Sequence, residues 1–337
     1  MKLFSCPRCG ARLYFENSRC LACGTAVACL PREARFAPLD ETAGCANREA
    51  AACNWAAEAG GLCAACRLNR TIPDLAVPGN AARWARVEAA KRRAVYALIA
   101  FGLDVAGKAH PDAEIGLAFD LLADPPQGGR VLTGHHAGLI TLNVAEADSV
   151  ERERMRTAMG EPYRTLLGHF RHELGHYYWE RLVRDDSARL ARFRALFGDE
   201  RADYAAALRR HYEAGPPVDW QERHISAYAA SHPWEDWAES WAHYLHIADT
   251  LEMAEALGLP FAHLDTVVEA EGSGGFEAAL SRWLALGETV NALNRCMGLA
   301  DLYPFVISPA AAGKLRFVHA LLAGRAAGAQ PEADREA

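Results

Sequence analysis

The sequence of 337 residues contains no apolar run of the roughly 20 residues that a membrane-spanning helix needs. Its first residues lose their apolar character after a few positions, so we expect no secretory signal there. Lysine is scarce, and the net charge of −7 argues against general nucleic-acid binding. These absences predict a cytoplasmic protein that binds neither a membrane nor nucleic acid.

Cysteine is plentiful but unevenly placed, since nine of the ten lie within the first 66 residues. Without an export signal, clustered cysteines favour metal-bound thiolates in a reducing compartment over disulfides. Cys6 with Cys9, and Cys20 with Cys23, form two CxxC-Gly knuckles, and each pair has the spacing of two ligands in a tetrahedral zinc site. A redox pair is the alternative, but two matched knuckles favour a structural zinc ribbon.

A second set of cysteines is less regularly spaced, and only its last pair has knuckle spacing. Its members are Cys45, Cys53, Cys63 and Cys66. Four cysteines so close in sequence predict a second Cys₄ zinc site, with free thiols as the alternative. Cys29 is left over and could replace one of these ligands.

Turn-forming residues between 69 and 80 separate this cysteine-rich head from the remainder. We therefore predict a zinc-ribbon module at 1–75 and a larger domain at 76–325. The tail at 326–337 has few apolar residues and is expected to be disordered. Asn80 is expected to cap a helix that runs to about Leu103.

Two alternating stretches, 115–122 and 139–144, predict strands in the larger domain. Beyond them the chain is predicted to be almost wholly helical, and Cys296 is expected to be a buried thiol within the last but one helix. The predicted helices cover 149–159, 162–184, 187–213, 234–257, 276–297 and 309–323. A small mixed sheet followed by a helical half is an α+β pattern.

The most informative motif is His172-Glu173-Leu-Gly-His176, an HExxH sequence inside a predicted helix. Histidines four residues apart share one face of a helix, so both can bind a single Zn²⁺. Glu173 lies between them, where it can take a proton from a water that the metal activates. The motif also arises by chance, so it needs further ligands to be convincing.

A catalytic zinc usually has three protein ligands and one open position. Trp179 and Leu182 stand where the metzincins have glycine and histidine, so that class is excluded. Glu235 and Glu239 are one turn apart in a later amphipathic helix and share a face. Glu235 fits as the third ligand, and Glu239 could accept a hydrogen bond from the outer nitrogen of a ligand histidine.

Tyr228 lies seven residues before Glu235, and its hydroxyl could donate to the oxyanion of a tetrahedral intermediate. A packing tyrosine is the alternative, and His232 could play the same part although its place before Pro233 suggests a turn. His135 and His136, just before strand 139–144, are expected to mark a turn near the cleft, and His169, His243 and His246 are expected to be core or surface histidines.

Three stretches resemble a bacterial family of zinc-binding metallopeptidases that carry an N-terminal zinc ribbon. They are HELGHYYW from His172, HPWEDWAE from His232, and 294–305. The resemblance covers nearly the whole chain and implies a zincin-like metallopeptidase domain. The third stretch could line the substrate cleft or form a structural cap.

A more distant resemblance covers only the site. Tyr228, Glu235 and Glu239 are similar to the Tyr…GluxxxGlu segment in the catalytic domain of anthrax lethal factor, a zincin endopeptidase. This likeness implies that Glu235 is a zinc ligand and that Tyr228 is a transition-state donor.

The sequence thus predicts a zinc metallopeptidase with one catalytic and one or two structural Zn²⁺, in which Glu173 is the general base. We expect a peptide or protein substrate that pairs with the free edge of strand 139–144, and the zinc ribbons could bind a protein partner. An adaptor with an inactive zincin domain and a zinc hydrolase of small amides remain alternatives. The intact Glu173 argues against the first of these.

Overall fold

The secondary structure combines short strands in the N-terminal part of the chain with long helices in the C-terminal part, which confirms the α+β fold class. The computed structural model describes residues 3–110, 113, 115–125, 127–158, 164–259 and 274–326. These residues form two compact units. One contains the described residues up to 158 together with 164–177 and 322–326, and the other contains those of 178–321. The predicted disordered tail lies outside the described residues, apart from residue 326.

Two small antiparallel hairpins form the N-terminal region. They comprise β1 (Phe4–Ser5) with β2 (Arg12–Leu13), and β3 (Val27–Leu30) with β4 (Arg35–Pro38). Aromatic rings bring them together, since Phe4 contacts Phe36 with the ring centroids 5.1 Å apart. Such short strands have little core of their own, so other interactions must stabilise this region.

Helix α1 (Asn80–Ala100) follows, and its start differs from the prediction. Gly79, with φ of 87°, precedes the helix, and Asn80 is its first residue instead of its cap. The side-chain amide of Asn80 donates a hydrogen bond to the backbone carbonyl of Asp74 at 3.0 Å and so links the preceding loop to the helix. Its predicted apolar stripe, which includes Trp84 and Val87, is buried.

A four-stranded sheet has the order β5-β6-β8-β7. The first three of these strands are parallel and β7 is antiparallel to β8. The strands are β5 (Asn69–Thr71), β6 (Ala118–Leu122), β7 (Gly134–His136) and β8 (Leu139–Asn143). Since β8 is paired on both sides, the prediction of a free edge on strand 139–144 was wrong. The strand at that end of the sheet is β7, so His135 and His136 form a strand where a turn was expected.

The turn between β7 and β8 fixes the place of this edge strand. Ala137 and Gly138 form a two-residue loop with φ of 46° and 79°, as type I′ hairpin turns require. A side chain at Gly138 would collide with the carbonyl oxygen of Gly116, so only glycine fits. The Gly138 amide also donates to Nε2 of His135 at 2.9 Å, which holds that ring against the turn.

The helices of the C-terminal part largely follow the prediction, with one break. The predicted helix 187–213 is interrupted after residue 197, because Gly198 has φ of 103°. Asp203 caps the next helix, which begins at Tyr204, by accepting a hydrogen bond from the backbone amide of Ala206. The helices are α2 (Ser149–Ala158), α3 (Leu166–Leu182), α4 (Ser187–Phe197), α5 (Tyr204–Ala214), α6 (Trp220–Arg223), α7 (Pro233–Ala256), α8 (Gly274–Cys296) and α9 (Pro309–Ala326). No helix among the described residues is long and apolar enough to cross a bilayer.

Helix α7 forms the centre of an aromatic core. Trp237 and Trp241 are fully buried, and Trp241 stacks on Tyr178 with the centroids 5.3 Å apart. Phe193 of α4 also contacts Trp237. Cys296, in contrast, is exposed at the end of α8, so the prediction of a buried thiol was wrong.

A buried ion pair joins α7 to α9. Asp236 is fully buried, and Lys314 Nζ donates to its carboxylate at 2.6 Å and to the carbonyl of Arg223 at 2.6 Å. His224 Nδ1 lies 3.0 Å from the same carboxylate. A buried carboxylate is stable only with such partners.

We predict that Lys314→Ala lowers the free energy of unfolding by about 3–5 kcal/mol, because it leaves the Asp236 charge buried without its main partner. Arg316→Ala on the same helix is the matched control. Its ion pair with Glu277 is partly exposed and should contribute less than about 1 kcal/mol. Denaturant unfolding curves measure both values, and equal losses would contradict this account.

Candidate metal centres and active site

The first cysteine group has the geometry of a tetrahedral metal site. The sulfurs of Cys6 and Cys23 are 3.7 Å apart, as are those of Cys9 and Cys20. Zn–S bonds of about 2.3 Å in a tetrahedron place the sulfurs about 3.8 Å apart, whereas a disulfide needs about 2 Å. The measured distances therefore fit four thiolates around a zinc ion.

The glycine after each knuckle turns the chain back towards the sulfurs. Gly10 and Gly24 have φ of 73° and 75°, and their amides donate to the carbonyls of Cys6 and Cys20 at 3.0 and 2.9 Å. The left-handed backbone at these positions favours glycine. The local sequence thus dictates the shape of this site.

The second cysteine group has the same geometry despite its irregular spacing. Its members are buried, and they are Cys45, Cys53, Cys63 and Cys66. The sulfur of Cys53 lies 3.6 Å from that of Cys63 and 3.8 Å from that of Cys66. Cys29 belongs to neither group, and burial raises the pKa of its thiol to about 12.

Crowding of four sulfurs makes their ionisation strongly interdependent. Hydrogen bonding to Cys53 lowers the pKa of Cys45 far below its ordinary value, whereas hydrogen bonding to Cys45 raises the pKa of Cys63 far above it. Four thiolates can therefore coexist here only with a cation between them, as zinc provides. The donor set fits that metal.

Helix α1 braces this second group. The Glu88 and Lys91 side chains are fully buried and form an ion pair at 2.8 Å, and the Cys66 thiol lies 3.7 Å from the Glu88 carboxylate. Arg92 donates to the carbonyls of Ala51 and Ala52 in the loop that carries Cys53. The helix and the cysteine loops therefore share one polar network.

The HExxH motif lies in the middle of α3. The rings of His172 and His176 are 4.9 Å apart between centroids, so both imidazoles point from one face of the helix, as the spacing predicts. His176 and Glu173 are buried, and His172 is partly exposed. Phe170, on the apolar side of the helix, packs against Phe119 of the sheet.

The turn before the motif is anchored by a buried carboxylate. His169 Nδ1 lies 2.6 Å from Glu146, Arg164 lies 3.6 Å from it, and the Thr133 hydroxyl donates to it at 2.6 Å. Burial alone would raise the pKa of Glu146, but these partners outweigh burial and lower the pKa to about 2. His169 is thus a structural histidine, as expected.

His135 contacts the motif from strand β7, whereas the sequence placed it in a turn near the cleft. Its ring stacks on that of His176, with centroids 6.2 Å apart and planes 23° apart. Burial lowers the pKa of His135 to about 3, so the ring is neutral. Since Nε2 accepts the Gly138 amide, the ring proton is on Nδ1.

Glu235 lies in the first turn of α7 and is almost fully buried. The hydroxyl of Tyr204 donates to one of its carboxylate oxygens at 2.7 Å. His232 caps the same helix by accepting the Trp234 amide, and its Nε2 lies 3.1 Å from the carbonyl of Ala202. Tyr204 follows the break in the predicted helix 187–213, and its contact with Glu235 could not be predicted from the sequence.

Two of the predicted catalytic ligands, His172 and His176, lie on one face of α3, and Glu235 lies in the first turn of α7. Two imidazoles and one carboxylate would suit a zinc site that keeps an open position, and joint ligation by these three residues stays a prediction. The two cysteine groups are candidate metal sites among the described residues.

Two further predicted residues are placed without a test of their roles. Glu239 accepts a hydrogen bond from the Ser226 hydroxyl at 2.6 Å. Tyr228 begins a short 3₁₀ turn, and its ring centroid lies 5.9 Å from that of His211. Support of a ligand histidine by Glu239 and oxyanion binding by Tyr228 stay predictions.

The chain matches two family models over most of its length. Residues 80–321 match a family described as "Putative zinc-binding metallo-peptidase", and residues 3–77 match a zinc-ribbon domain. The resemblance seen in the motifs is thereby confirmed.

Similar proteins occur in Mycobacterium bovis and Mycobacterium tuberculosis. Each is 46% identical over 328 residues, which cover 96% of this chain and 95% of the relative, and each is described only as an uncharacterized protein. No solved structure matches the chain significantly. From its metal-ligand geometry and its match over residues 80–321, the chain belongs to this family of zinc-binding metallopeptidases and carries a zinc-ribbon domain at its N-terminus.

Proposed function

We propose that the protein hydrolyses peptide bonds in peptide or protein substrates with a single catalytic Zn²⁺. The observation that carries this proposal is the pairing of His172 and His176 on one face of α3 in a member of this family of zinc-binding metallopeptidases. Glu173 lies between the two histidines in sequence and is buried beside them. A general base next to three ligands is what metal-assisted hydrolysis needs.

His172, His176 and Glu235 would hold the metal, which supplies polarisation of the scissile carbonyl and a lower pKa for the attacking water. Glu173 takes the proton of the water as its oxygen bonds to the carbonyl carbon. When the carbon–nitrogen bond breaks, Glu173 delivers that proton to the leaving amine. Tyr228 donates a hydrogen bond to the oxyanion.

The substrate would bind as an extended strand along β7. Among the described strands, β7 is an edge strand of the four-stranded sheet and can pair with a further strand on its outer side. His135 on β7 stacks on His176 of the motif. A peptide that adds to β7 through its backbone therefore passes beside the motif. This arrangement favours peptides over small amides as substrates.

The substitution Glu173→Gln tests the role of the proposed general base. Loss of the general base should lower kcat by about 10²–10⁴ while zinc binding is retained, because the residue is not a ligand. The measurement is digestion of a peptide library, followed by mass spectrometry. Glu180→Gln on the same helix is the matched control and should cleave like the parent protein.

Two results would contradict the proposal. Equal cleavage by the parent and Glu173→Gln would mean that the motif performs no peptide hydrolysis. No cleavage of the library, together with cleavage of small amides in a separate assay, would favour a zinc amidase.

The metal content of the protein tests how many of the proposed zinc sites are filled. We expect about three Zn²⁺ per chain by elemental analysis, because two cysteine groups have suitable geometry and His172, His176 and Glu235 are the proposed third ligand set. His172→Ala should retain two, and both cysteine sites should remain filled. A parent count of two that does not change in His172→Ala would show that the HExxH helix binds no zinc.

A further prediction concerns Tyr204, whose hydroxyl donates a hydrogen bond to one carboxylate oxygen of Glu235. Tyr204→Phe should weaken zinc binding at the catalytic site about 10- to 100-fold, because the carboxylate loses the bond that orients it. Competition with a chromogenic chelator measures this affinity. Tyr212→Phe, at an exposed tyrosine of the same helix, should leave it unchanged. The same affinity in both variants would show that Tyr204 does not orient the ligand.

A further inference from the structure

A pocket of about 110 Å³ lies beside α7, α8 and the segment 299–306. Its walls include the apolar side chains of Trp283, Leu286, Val290 and Phe305. An apolar cavity of about 150 Å³ holds a benzene molecule, so this pocket has room for a branched aliphatic group or a small ring.

The segment that closes the pocket is firmly held. The Asn291 side chain bonds both the carbonyl and the amide of Tyr303, at 2.8 and 2.9 Å. Arg295 forms two bonds of 2.6 Å with Asp301. The family-specific stretch 294–305, which the sequence assigned to a cleft wall or to a cap, therefore supplies a fixed wall of this pocket.

The polar groups along the wall are bonded to other protein groups. His243 Nδ1 and the Tyr303 hydroxyl form a hydrogen bond of 2.7 Å, and the Thr250 hydroxyl donates to the carbonyl of His246 at 2.7 Å. The edge of Phe305 also meets the His243 ring, with centroids 4.4 Å apart. A ligand would therefore meet mainly apolar surface.

Gly287 indicates that the pocket is kept open. It lies within α8, where glycine costs about 1 kcal/mol relative to alanine. A Cβ at this position would meet no atom within 4 Å, and its φ is not in the positive range. Neither crowding nor backbone geometry requires glycine here, and what the missing side chain provides is volume inside the pocket.

The pocket lies along the face of α7 that carries Glu235. His246, which lines the pocket, is 11 residues further along this helix. Eleven residues correspond to about 16 Å and to a rotation within about 20° of whole turns. An extended peptide covers that distance in about five residues.

We propose that this pocket binds an apolar side chain of the polypeptide substrate, about five residues from the bond that is cut. The inference rests on the proposed peptidase function. It makes the protein selective for polypeptides that carry a leucine- or phenylalanine-sized residue at that distance. Shorter peptides would be cut without this selectivity.

The test is a substitution that fills the pocket with a larger side chain. Gly287→Leu places a side chain in the cavity, and leucine is a better helix former than glycine, so the fold is retained. Gly275→Leu is the matched control, because it lies on the same helix, also meets no atom within 4 Å, and does not line the pocket. Both variants and the parent digest the same peptide library.

We expect the parent and Gly275→Leu to prefer an apolar residue about five positions from the cut. Gly287→Leu should lose this preference and show a KM about tenfold higher for such peptides, with kcat for short peptides unchanged. Cleavage with the same preference in Gly287→Leu would overturn the pocket assignment while the peptidase function stands.

A second readout separates the two proposals. Trp283 is labelled with 5-fluorotryptophan, its ¹⁹F resonance is assigned with Trp283→Phe, and N-acetylphenylalaninamide is added. A shift in the parent that is absent in Gly287→Leu supports an apolar binding pocket. The same shift in a parent protein that cleaves no peptide would overturn both the substrate assignment and the proposed function.

Discussion

The site depends on the regular geometry of helix α3, since two imidazoles one turn apart can share a metal only if the backbone between them stays helical. Before the motif, the buried Glu146 carboxylate holds His169. After it, Tyr178 stacks on Trp241. Electrostatic contacts before the motif and aromatic packing after it thus hold the helix at both ends. The proposed general base, Glu173, lies on the same helix, so the contacts that hold α3 also place its carboxylate.

The cysteine groups explain how the short strands of the N-terminal region can stay folded. The hairpins of the N-terminal region are two to four residues long and bury few large side chains. Metal ligation can replace the missing core, because binding free energy adds to folding free energy. The buried pair Glu88 and Lys91 then joins the second group to α1, so stability gained from the metal reaches the helix that follows.

Local spacing explains which features the sequence could predict. The HExxH pair and the CxxC knuckles are set by backbone geometry over a few residues, and Glu235 could be selected because the motif lacked a ligand. Contacts between distant segments could not be predicted. The pairing of β8 on both sides, the stacking of His135 and the bond from Tyr204 depend on how separate elements pack. The break at Gly198 could have been predicted, since glycine often ends a helix and residues 198–203 contain no large apolar side chain.

The two cysteine groups also differ in their access to solvent. Cys9 and Cys23 of the first group are exposed, whereas all four members of the second are buried. A chelator could approach a metal in the first group directly and remove it by ligand exchange. A metal in the second group could leave only when the surrounding chain opens. Its rate of release would therefore report the opening of the N-terminal region, so that the two groups would hold a rapidly exchanging ion and a kinetically trapped one.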